Sequence, residues 1–513
     1  MLDLTLIASV LGGAFIVYLF RQWSSSRHSL PLPPGPKPLP LIGNVHQFPA
    51  ENEHFVFEEW GKTYGDIMSV NLLGKTVVIL NSAKAAIDLL DKRSDIYSER
   101  PYLPMGGELV GWDHTLALVS SGDRFRQMRK YIAQALSVRA VKDYRRFQTN
   151  EARASCARQL ITPENFIDHI RRTVNALILS VIYGYPVSKD NDPLVVLAEQ
   201  VLDGFSASTL PGAFLVDVFP LLKHVPAWFP GAGFQRKAAH WRQLLLSMVD
   251  STFTMIKKDI AAGTQTPCLT SRLLDTMSDT SEEETIKWAA ASAHTGGADT
   301  SVSALMTFYL AMTLNPAVQQ KAQAEIDAVV GNGRLPEFED RENLPYTNAL
   351  LKEVLRWKPV THLNLPHVSK RDDVYEGYHI PKGSIILANI WVMNNDPSIF
   401  KDPRVFRPER FLEADGKTPV AIPNTREWSS HAFGFGRRLC PGQSLADETL
   451  FMNIATTLAT LNISKALNEK GVPIEPSTDY VPGVISRPKP WVCKIEARSS
   501  AAADLLKHAL ETV

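Results

Sequence analysis

The chain contains the stretch Phe433-Gly434-Phe435-Gly436-Arg437-Arg438-Leu439-Cys440-Pro441-Gly442, in which one cysteine stands between glycines and directly before a proline. The largely apolar run that follows, Gln443 to Leu461, predicts a helix with Pro441 at its first position, where the missing N–H is no loss. Backbone N–H groups and the helix dipole favour a thiolate at such a place. The glycines permit a close approach that a β-carbon would block. The stretch therefore predicts a loop that holds a flat, anionic, metal-bearing ligand against one sulfur.

This decamer resembles the haem-binding loop of the cytochrome P-450 superfamily. The pattern Phe-x-x-Gly-x-Arg-x-Cys-x-Gly is matched at Phe433, Gly436, Arg438, Cys440 and Gly442. The resemblance implies that the protein binds haem b, that Cys440 is the axial thiolate ligand of the iron, and that Arg438 pairs with a haem propionate. A structural cysteine in a glycine-rich turn is the alternative interpretation.

The composition indicates one large globular protein with balanced charge. Of 513 residues 45% are hydrophobic, and 54 basic residues face 54 acidic ones, so nothing points to nucleic acid as a partner. No linker-like stretch interrupts the chain after the N-terminal region, which predicts a single catalytic domain over residues 41–513. The four cysteines are scattered without a close pair, a usage typical of a reducing compartment and against a disulfide framework or a zinc site.

An apolar run near the N-terminus predicts a membrane anchor. Leu4 to Phe20 follows Asp3 and precedes Arg21, an order that argues against a cleaved signal peptide and keeps the rest of the chain in the cytosol. We expect residues 1–22 to form one N-terminal transmembrane helix in the endoplasmic reticulum membrane, with the catalytic domain in the cytosol. Residues 23–40 are basic and proline-rich and predict a stiff spacer, or alternatively a ligand for a partner protein.

A long apolar segment from Thr285 to Leu314 predicts one continuous helix. It contains Gly296-Gly297-Ala298-Asp299-Thr300-Ser301, and two adjacent glycines inside a helix cost on the order of 2 kcal/mol relative to alanine. Ala293, Gly297 and Thr300 share one face at helical spacing, and small residues there let a ligand approach the backbone. A glycine pair used for helix packing is the alternative interpretation.

The same segment resembles the oxygen-activating motif of monooxygenases of the superfamily. The resemblance implies that Thr300 hydrogen-bonds the bound oxygen and that Asp299 connects it to water and bulk protons. Such chemistry needs ordered delivery of two protons, because peroxide otherwise escapes. Asp299 and Thr300 are therefore the expected catalytic residues.

Two further motifs predict ion pairs. Glu353-Val354-Leu355-Arg356 places a carboxylate and a guanidinium three residues apart on one helix face. By resemblance, Glu353 and Arg356 form a buried network with Arg410 of Pro408-Glu409-Arg410-Phe411, which stabilises the core beside the haem.

Two basic side chains besides Arg438 are expected at the haem propionates. Relatives usually have tryptophan at the position of Phe125, and its N–H joins Arg129 in binding a propionate. Here the ring is retained and the donor is lost, so Arg129 is expected to make that contact alone. His367, after Pro366, matches a propionate-binding histidine. Arg129 lies in a segment that predicts a helix running towards Leu136. Its other basic residues, Arg124, Arg126 and Lys130, form either a solvated face or a docking site for an acidic electron-donor protein.

An apolar loop from Arg100 to Gly122 predicts closure over a substrate cavity, although core packing explains its side chains equally well. The predicted pocket residues are Met105, Trp112, Ala293, Gly297, Leu363 and Val484, the last at an expected hairpin tip. The turn Pro226-Ala227-Trp228-Phe229-Pro230-Gly231 either dips into a membrane interface or is buried in the core.

The resemblance covers nearly the whole chain and implies a mainly α protein with small β-sheets (α+β), the cytochrome P-450 fold. Arg100-Pro101 and Glu108 to Trp112 resemble fungal microsomal members of the secondary-metabolite and xenobiotic type. The implied reaction inserts one oxygen atom of O₂ into a hydrophobic terpenoid, polycyclic aromatic, stilbene or similar molecule. Electrons are expected from NADPH through the flavoprotein NADPH-cytochrome P-450 reductase, with cytochrome b5 as a further partner. The alternatives are a reductase-independent haem-thiolate isomerase or dehydratase, and a non-catalytic haem sensor.

Overall fold

A computed structural model describes residues 30–187, 192–210, 212–423, 425 and 431–511, together with Gly13. The helices are α1 (Glu53–Tyr64), α2 (Ala83–Ala86), α3 (Asp123–Leu136), α4 (Arg145–Ile161), α5 (Phe166–Tyr183), α6 (Pro193–Ser208), α7 (Leu215–Val218), α8 (Gly233–Ala262), α9 (Leu269–Asp275), α10 (Glu283–Ala298), α11 (Thr300–Leu314), α12 (Pro316–Val329), α13 (Pro345–Trp357), α14 (Ile390–Asn394), α15 (Gln443–Thr460) and α16 (Ser500–Glu511). The strands are β1 (Ile67–Leu72), β2 (Lys75–Leu80), β3 (His367–Val368), β4 (Asp373–Tyr375), β5 (Tyr378–Ile380), β6 (Ile385–Ala388), β7 (Leu461–Lys465) and β8 (Cys493–Ala497). The prediction of a mainly helical protein with small sheets is confirmed.

The first of two compact units contains residues 30–101 and Leu363–Val392. Its sheet has the strand order β1-β2-β6-β3, with β2 and β6 parallel and the other neighbours antiparallel. β1 and β2 form a hairpin, and its two turn residues, Leu73 and Gly74, have φ angles of 52° and 87°. Such left-handed pairs match the twist of the flanking strands. Phe57 and Met68 belong to the buried apolar cluster on this sheet.

The proline-rich segment is bound to this unit through its backbone. Ser69 donates from its N–H to the Pro34 carbonyl at 2.8 Å and from its hydroxyl to the Pro33 carbonyl at 2.6 Å. A Cβ on Gly35 would lie 1.9 Å from the Ser69 carbonyl oxygen, so glycine is required at this approach. Residues 33–35 therefore lie against β1, whereas the sequence predicted a spacer here.

The second unit contains Tyr102–His362 and the chain from Met393 onwards, and it is mainly helical. Nearly every side chain of α11 and α15 is buried, which identifies these helices as the centre of its core. β7 and β8 form a two-stranded antiparallel sheet that extends directly from the end of α15.

The predicted anchor, residues 1–22, lies outside the described residues except for Gly13, as do residues 23–29 of the predicted hinge. Within the part of the chain that the structure describes, no single helix is long and apolar enough to cross a membrane. One pair of consecutive helical segments, Thr280–Leu314 and Pro316–Val329, is together long and apolar enough for a membrane span, but the two segments are bent by 106° relative to each other.

Candidate functional site

The Cys440 loop is a tight turn that ends where α15 begins. The Cys440 N–H donates to the Phe433 carbonyl at 2.9 Å, which closes the loop on itself. Gly434 and Gly436 have φ angles of 77° and 54°, a region that favours glycine. Gly442 is the N-cap of α15, so Pro441 precedes the cap and the prediction of a proline at the first helical position is wrong. A cap residue at Gly442 leaves the first N–H groups of the helix directed at the sulfur.

The Cys440 thiol is subject to opposing electrostatic effects. Burial raises its pKa, while the backbone N–H groups of Gly442 and Gln443 and the charge of Arg129 lower it. Burial is the larger effect for the free thiol, so the pKa of the thiol is raised overall, while the backbone N–H groups at the helix start act in the expected direction. A coordinated cation removes this penalty, because a metal-bound thiol is deprotonated.

Arg438 and Arg129 both lie close to the Phe125 ring. The Arg438 guanidinium lies 4.0 Å from the Phe125 ring centroid and donates to the carbonyls of Leu116 and Val119 at 3.1 and 2.7 Å. Arg129 lies 5.9 Å from the same centroid. The ring that lacks the usual N–H therefore serves as a stacking surface for cations.

Arg129 is itself half-buried at the loop. It donates to the Leu439 carbonyl at 2.8 Å, directly before the cysteine. Burial lowers the pKa of Arg129, and Cys440 opposes that effect. The structure thus brings Arg129, Arg438 and Cys440 together, and their roles towards haem stay predictions.

Asp299 interrupts the helix that was predicted from Thr285 to Leu314. α10 ends at Ala298 and α11 begins at Thr300, so one continuous helix is not formed. The Thr300 hydroxyl donates to the Gly296 carbonyl at 2.9 Å. A hydroxyl bonded to the carbonyl four residues earlier is a known cause of helix bending, which the hydrophobic pattern does not reveal.

The two glycines of this motif have different surroundings. A Cβ on Gly297 would lie 2.5 Å from Ile178 Cδ1 of α5, so this glycine admits a neighbouring helix. The packing agrees with the helix-packing interpretation, and the pocket role of Gly297 stays a prediction. Gly296 is exposed, and a Cβ there would meet no described protein atom within 4 Å. Gly296 is therefore the glycine beside which a ligand has room.

Asp299 forms an ion pair that the sequence did not predict. Arg487 Nη1 lies 3.0 Å from Asp299 Oδ2. Burial raises the pKa of Asp299, and the charges of Arg487 and Arg171 oppose the rise. No local pattern connects residues so distant along the chain, and only the folded backbone brings Arg487 to this carboxylate.

The predicted ion-pair network is assembled in the core of the second unit. The side chains of Glu353 and Arg356 are 0% exposed and joined by bonds of 2.6 and 2.8 Å. Arg410 Nε lies 3.2 Å from Glu353 Oε1. The Arg407 N–H donates to the same oxygen at 2.7 Å, and Arg356 donates to the Asn394 carbonyl at 2.7 Å. The buried charges of this network are therefore balanced by oppositely charged side chains and by hydrogen bonds to the backbone.

Two predicted site residues belong to the first unit. His367 is buried, and its Nδ1 contacts the Tyr97 carbonyl while its Nε2 lies 3.3 Å from Asn364 Nδ2. Leu363 packs against the apolar cluster of the β1-β2 sheet. The propionate role of His367 and the pocket role of Leu363 stay predictions.

The remaining pocket residues belong to the second unit. Met105, Trp112 and Ala293 are buried, the first in a π-helical turn where the sequence predicted an irregular loop. Val484 lies in a turn closed by a bond of 2.8 Å from the Val481 N–H to the Arg487 carbonyl, consistent with the expected hairpin tip. Their contact with substrate stays a prediction.

The residues of the second unit fit a haem. Cys440 is partly exposed and its sulfur accepts from backbone N–H groups, as an anionic iron ligand requires. Arg129 and Arg438 supply cations next to it, and Gly296 leaves backbone open beside the Thr300 hydroxyl. A mainly helical protein with these features belongs to the haem-thiolate class.

Comparison with known proteins identifies the family. The cytochrome P-450 family model matches residues 33–494. The chain is 45% identical to cytochrome P-450 monooxygenase 208 of Postia placenta, over 98% of this chain and 97% of that protein. It is 44% identical to cytochrome P-450 monooxygenase claR of Ampulloclitocybe clavipes, over 98% and 92%. It is 43% identical to cytochrome P-450 monooxygenase COX2 of Coprinopsis cinerea, over 94% and 92%.

The chain belongs to the cytochrome P-450 family. Membership implies haem with a cysteine thiolate as iron ligand. The prediction of an oxidoreductase of the monooxygenase type is confirmed, since these fungal relatives are named monooxygenases.

Proposed function

We propose that the protein inserts one oxygen atom of O₂ into a hydrophobic small molecule of the terpenoid, polycyclic aromatic or stilbene kind, with Cys440 as the iron ligand. Bound haem supplies the activation of oxygen and its transfer to the substrate. The observation that carries the proposal is the helix break at the half-buried Asp299, directly before Thr300, whose hydroxyl is bonded to the carbonyl of Gly296 where the backbone is open. An isomerase or a haem sensor has no use for such a proton-handling pair.

Asp299 and Thr300 hold protons at defined atoms. The Thr300 hydroxyl directs its proton at the Gly296 carbonyl, and rotation about χ1 frees it for a ligand beside Gly296. Burial raises the pKa of Asp299, so its carboxyl takes up a proton more readily than an ordinary aspartate. The pair thereby combines a hydrogen-bond donor with a proton source, which is what general acid catalysis requires.

The proposed electron source is NADPH through NADPH-cytochrome P-450 reductase, with cytochrome b5 as a second donor. Arg126 and Lys130 of α3 and Arg437 of the cysteine loop are exposed, and Arg126 is paired with Asp123. Exposed cations beside the cysteine loop suit an acidic partner that delivers electrons there, because complementary charge accelerates and orients docking.

The proposed location is the endoplasmic reticulum membrane, with residues 1–22 as a single-pass anchor and the catalytic part in the cytosol. Trp228 is 79% and Phe229 50% exposed, so the alternative that their turn is buried in the core is wrong. Leu215 and Leu221, nearby in the chain, are also exposed. An exposed apolar surface with tryptophan suits a membrane interface.

The test is expression with the reductase in microsomes and a screen of hydrophobic compounds for NADPH-dependent products. We expect an oxygenated product whose new oxygen derives from O₂, and loss of that product when NADPH or the reductase is omitted. Turnover that continues without either would establish the isomerase or dehydratase alternative. Binding without any turnover across the library would favour a sensor.

A further inference from the structure

A polar cavity of about 170 Å³ lies beside Asp299 in the second unit. Its polar lining residues are Arg171, Asn175, Glu199, Asp203, Asp299 and Arg487. Exposure decreases along it, since the side chains of Asp203 and Glu199 are 71% and 43% exposed and that of Asp299 is 13% exposed. The cavity therefore connects solvent with the inner carboxylate.

Arg487 lies between two carboxylates of this cavity. Its Nη1 is 3.0 Å from Asp299 Oδ2, and its Nη2 is 3.5 Å from Asp203 Oδ1. One guanidinium thus engages the inner and an outer carboxylate at once. Because the guanidinium is planar and stays charged, it fixes the direction of the Asp299 carboxylate.

Glu199 is the outer group with the chemistry of a proton carrier. Burial raises its pKa, with further rises from Asp168, Asp299 and Asp203, and Arg171 opposes them from 3.7 Å. Glu199 therefore keeps its proton to a higher pH than an ordinary glutamate. Asp203 is more exposed than Glu199, and its side chain contacts the Arg487 guanidinium.

Asn175 provides an independent sign of bound water. It is 2% exposed, and its Nδ2 donates to the Arg171 carbonyl at 2.9 Å. Among the described residues the Oδ1 atom of Asn175 has no hydrogen-bond partner, and Asn175 is one of the residues that line the cavity. A buried amide oxygen without a partner costs about 1–3 kcal/mol, and a water in a polar cavity of this size removes the cost.

We propose that Glu199 takes up protons from solvent, that water in this cavity passes them to Asp299, and that Arg487 is the positioning residue for the Asp299 carboxylate. In each cycle the Glu199 O–H bond breaks and an O–H bond forms on water. That water gives another of its protons to the Asp299 carboxylate, and bulk solvent reprotonates Glu199. No electron moves in these transfers. The proposal rests on the proposed monooxygenase function, which supplies the demand for protons at Asp299.

The first test measures the ratio of oxygenated product to hydrogen peroxide during NADPH- and reductase-supported turnover of the compound that the library screen identifies. Glu199→Gln removes the carrier at constant size, and Asn175→Leu removes the water contact at nearly constant volume. Glu164→Gln, an exposed carboxylate ahead of α5, is the matched control. We expect both cavity variants to lower the ratio about tenfold, below the full effect of a lost proton donor because bulk water partly replaces it.

The pH profile distinguishes this path from a structural role of Glu199. In the native enzyme the product ratio should fall as the pH rises through the raised pKa of Glu199, because the proton is lost there. In the Glu199→Gln variant the ratio should be low and flat over the same range. A native ratio and profile in Glu199→Gln would overturn the proposal, as would a native ratio in Asn175→Leu.

A second readout needs no turnover. A pH jump on the haem-loaded protein, followed by difference infrared spectroscopy, should show a protonated-carboxyl band that Glu199→Gln abolishes and Glu164→Gln leaves in place. Asp299→Asn should move the titration midpoint of the Glu199 band to lower pH, because a negative charge near Glu199 is removed. If the native enzyme makes no product, the proposed function fails and this titration decides the proposal alone. The absence of this band from the native protein, or a midpoint that Asp299→Asn leaves unchanged, would overturn the proposal.

Discussion

A methyl group added at Gly297 should destabilise the protein through one identified contact. The new Cβ would lie 2.5 Å from Ile178 Cδ1 and 3.0 Å from Ile178 Cγ1. Alanine gains about 1 kcal/mol in helix propensity, and overpacking a core costs about 1–3 kcal/mol. We therefore expect Gly297→Ala to lower the free energy of unfolding by about 1 kcal/mol.

The contact is isolated by a double-mutant cycle. Ile178→Val removes the Cδ1 atom and alone costs about 1 kcal/mol. Combined with Gly297→Ala it should relieve the clash, which gives a favourable coupling of about 1 kcal/mol or more. The assay is urea unfolding of the haem-loaded single and double variants, followed by circular dichroism.

Gly296 supplies the matched control. A Cβ at Gly296 meets no described protein atom within 4 Å, so Gly296→Ala combined with Ile178→Val should show no coupling. Additive effects of Gly297→Ala and Ile178→Val, or equal coupling at both glycines, would refute the packing argument.

Three further outcomes follow from the structure. Glu353→Gln leaves buried arginines without their counter-ion and should cost about 3–5 kcal/mol in urea unfolding, whereas Glu409→Gln at an exposed pair should cost below about 1 kcal/mol; similar losses would contradict the burial argument. Phe125→Leu removes the ring under Arg438 and should speed haem transfer to an acceptor protein by about fivefold, from about 1 kcal/mol of lost cation–π contact, while Phe125→Trp should not. Burial lowers the pKa of His294 to about 4. Between the unfolded-state pKa near 6.5 and pH 4 the ring is protonated in the unfolded chain and neutral in the folded one, so the free energy of unfolding decreases as the pH falls through this range. His294→Phe should remove up to about 3 kcal/mol of that loss in urea unfolding between these pH values, and an unchanged slope would contradict it.

Local sequence predicted the features that depend on neighbouring residues. The spacing of Glu353 and Arg356 places both on one helix face. The cysteine loop and the helix after it follow from glycine, proline and hydrophobic pattern. Arg410 joined the ion-pair network only through the family resemblance.

Features that depend on tertiary packing were missed or misjudged. The raised pKa of Cys440 follows from burial, which the helix-terminus argument did not include. The close approach of Ile178 leaves no room for a side chain at Gly297, and the Thr300 hydroxyl bond accompanies the helix break. The cavity beside Asp299 combines residues of α5, α6 and the C-terminal segment, whose spacing along the chain carries no signal.

The central claim is that the Cys440 sulfur binds the iron of a haem. The direct measurement is the absorption spectrum of the reduced, carbon-monoxide-treated protein for the native chain and for Cys440→Ala, Cys440→His and Cys493→Ala. The native protein and Cys493→Ala, in which a cysteine of β8 is replaced, should show the red-shifted Soret band of thiolate ligation. Both Cys440 variants should lose it together with oxygenation. Persistence of that band and of product formation without Cys440 would contradict the account.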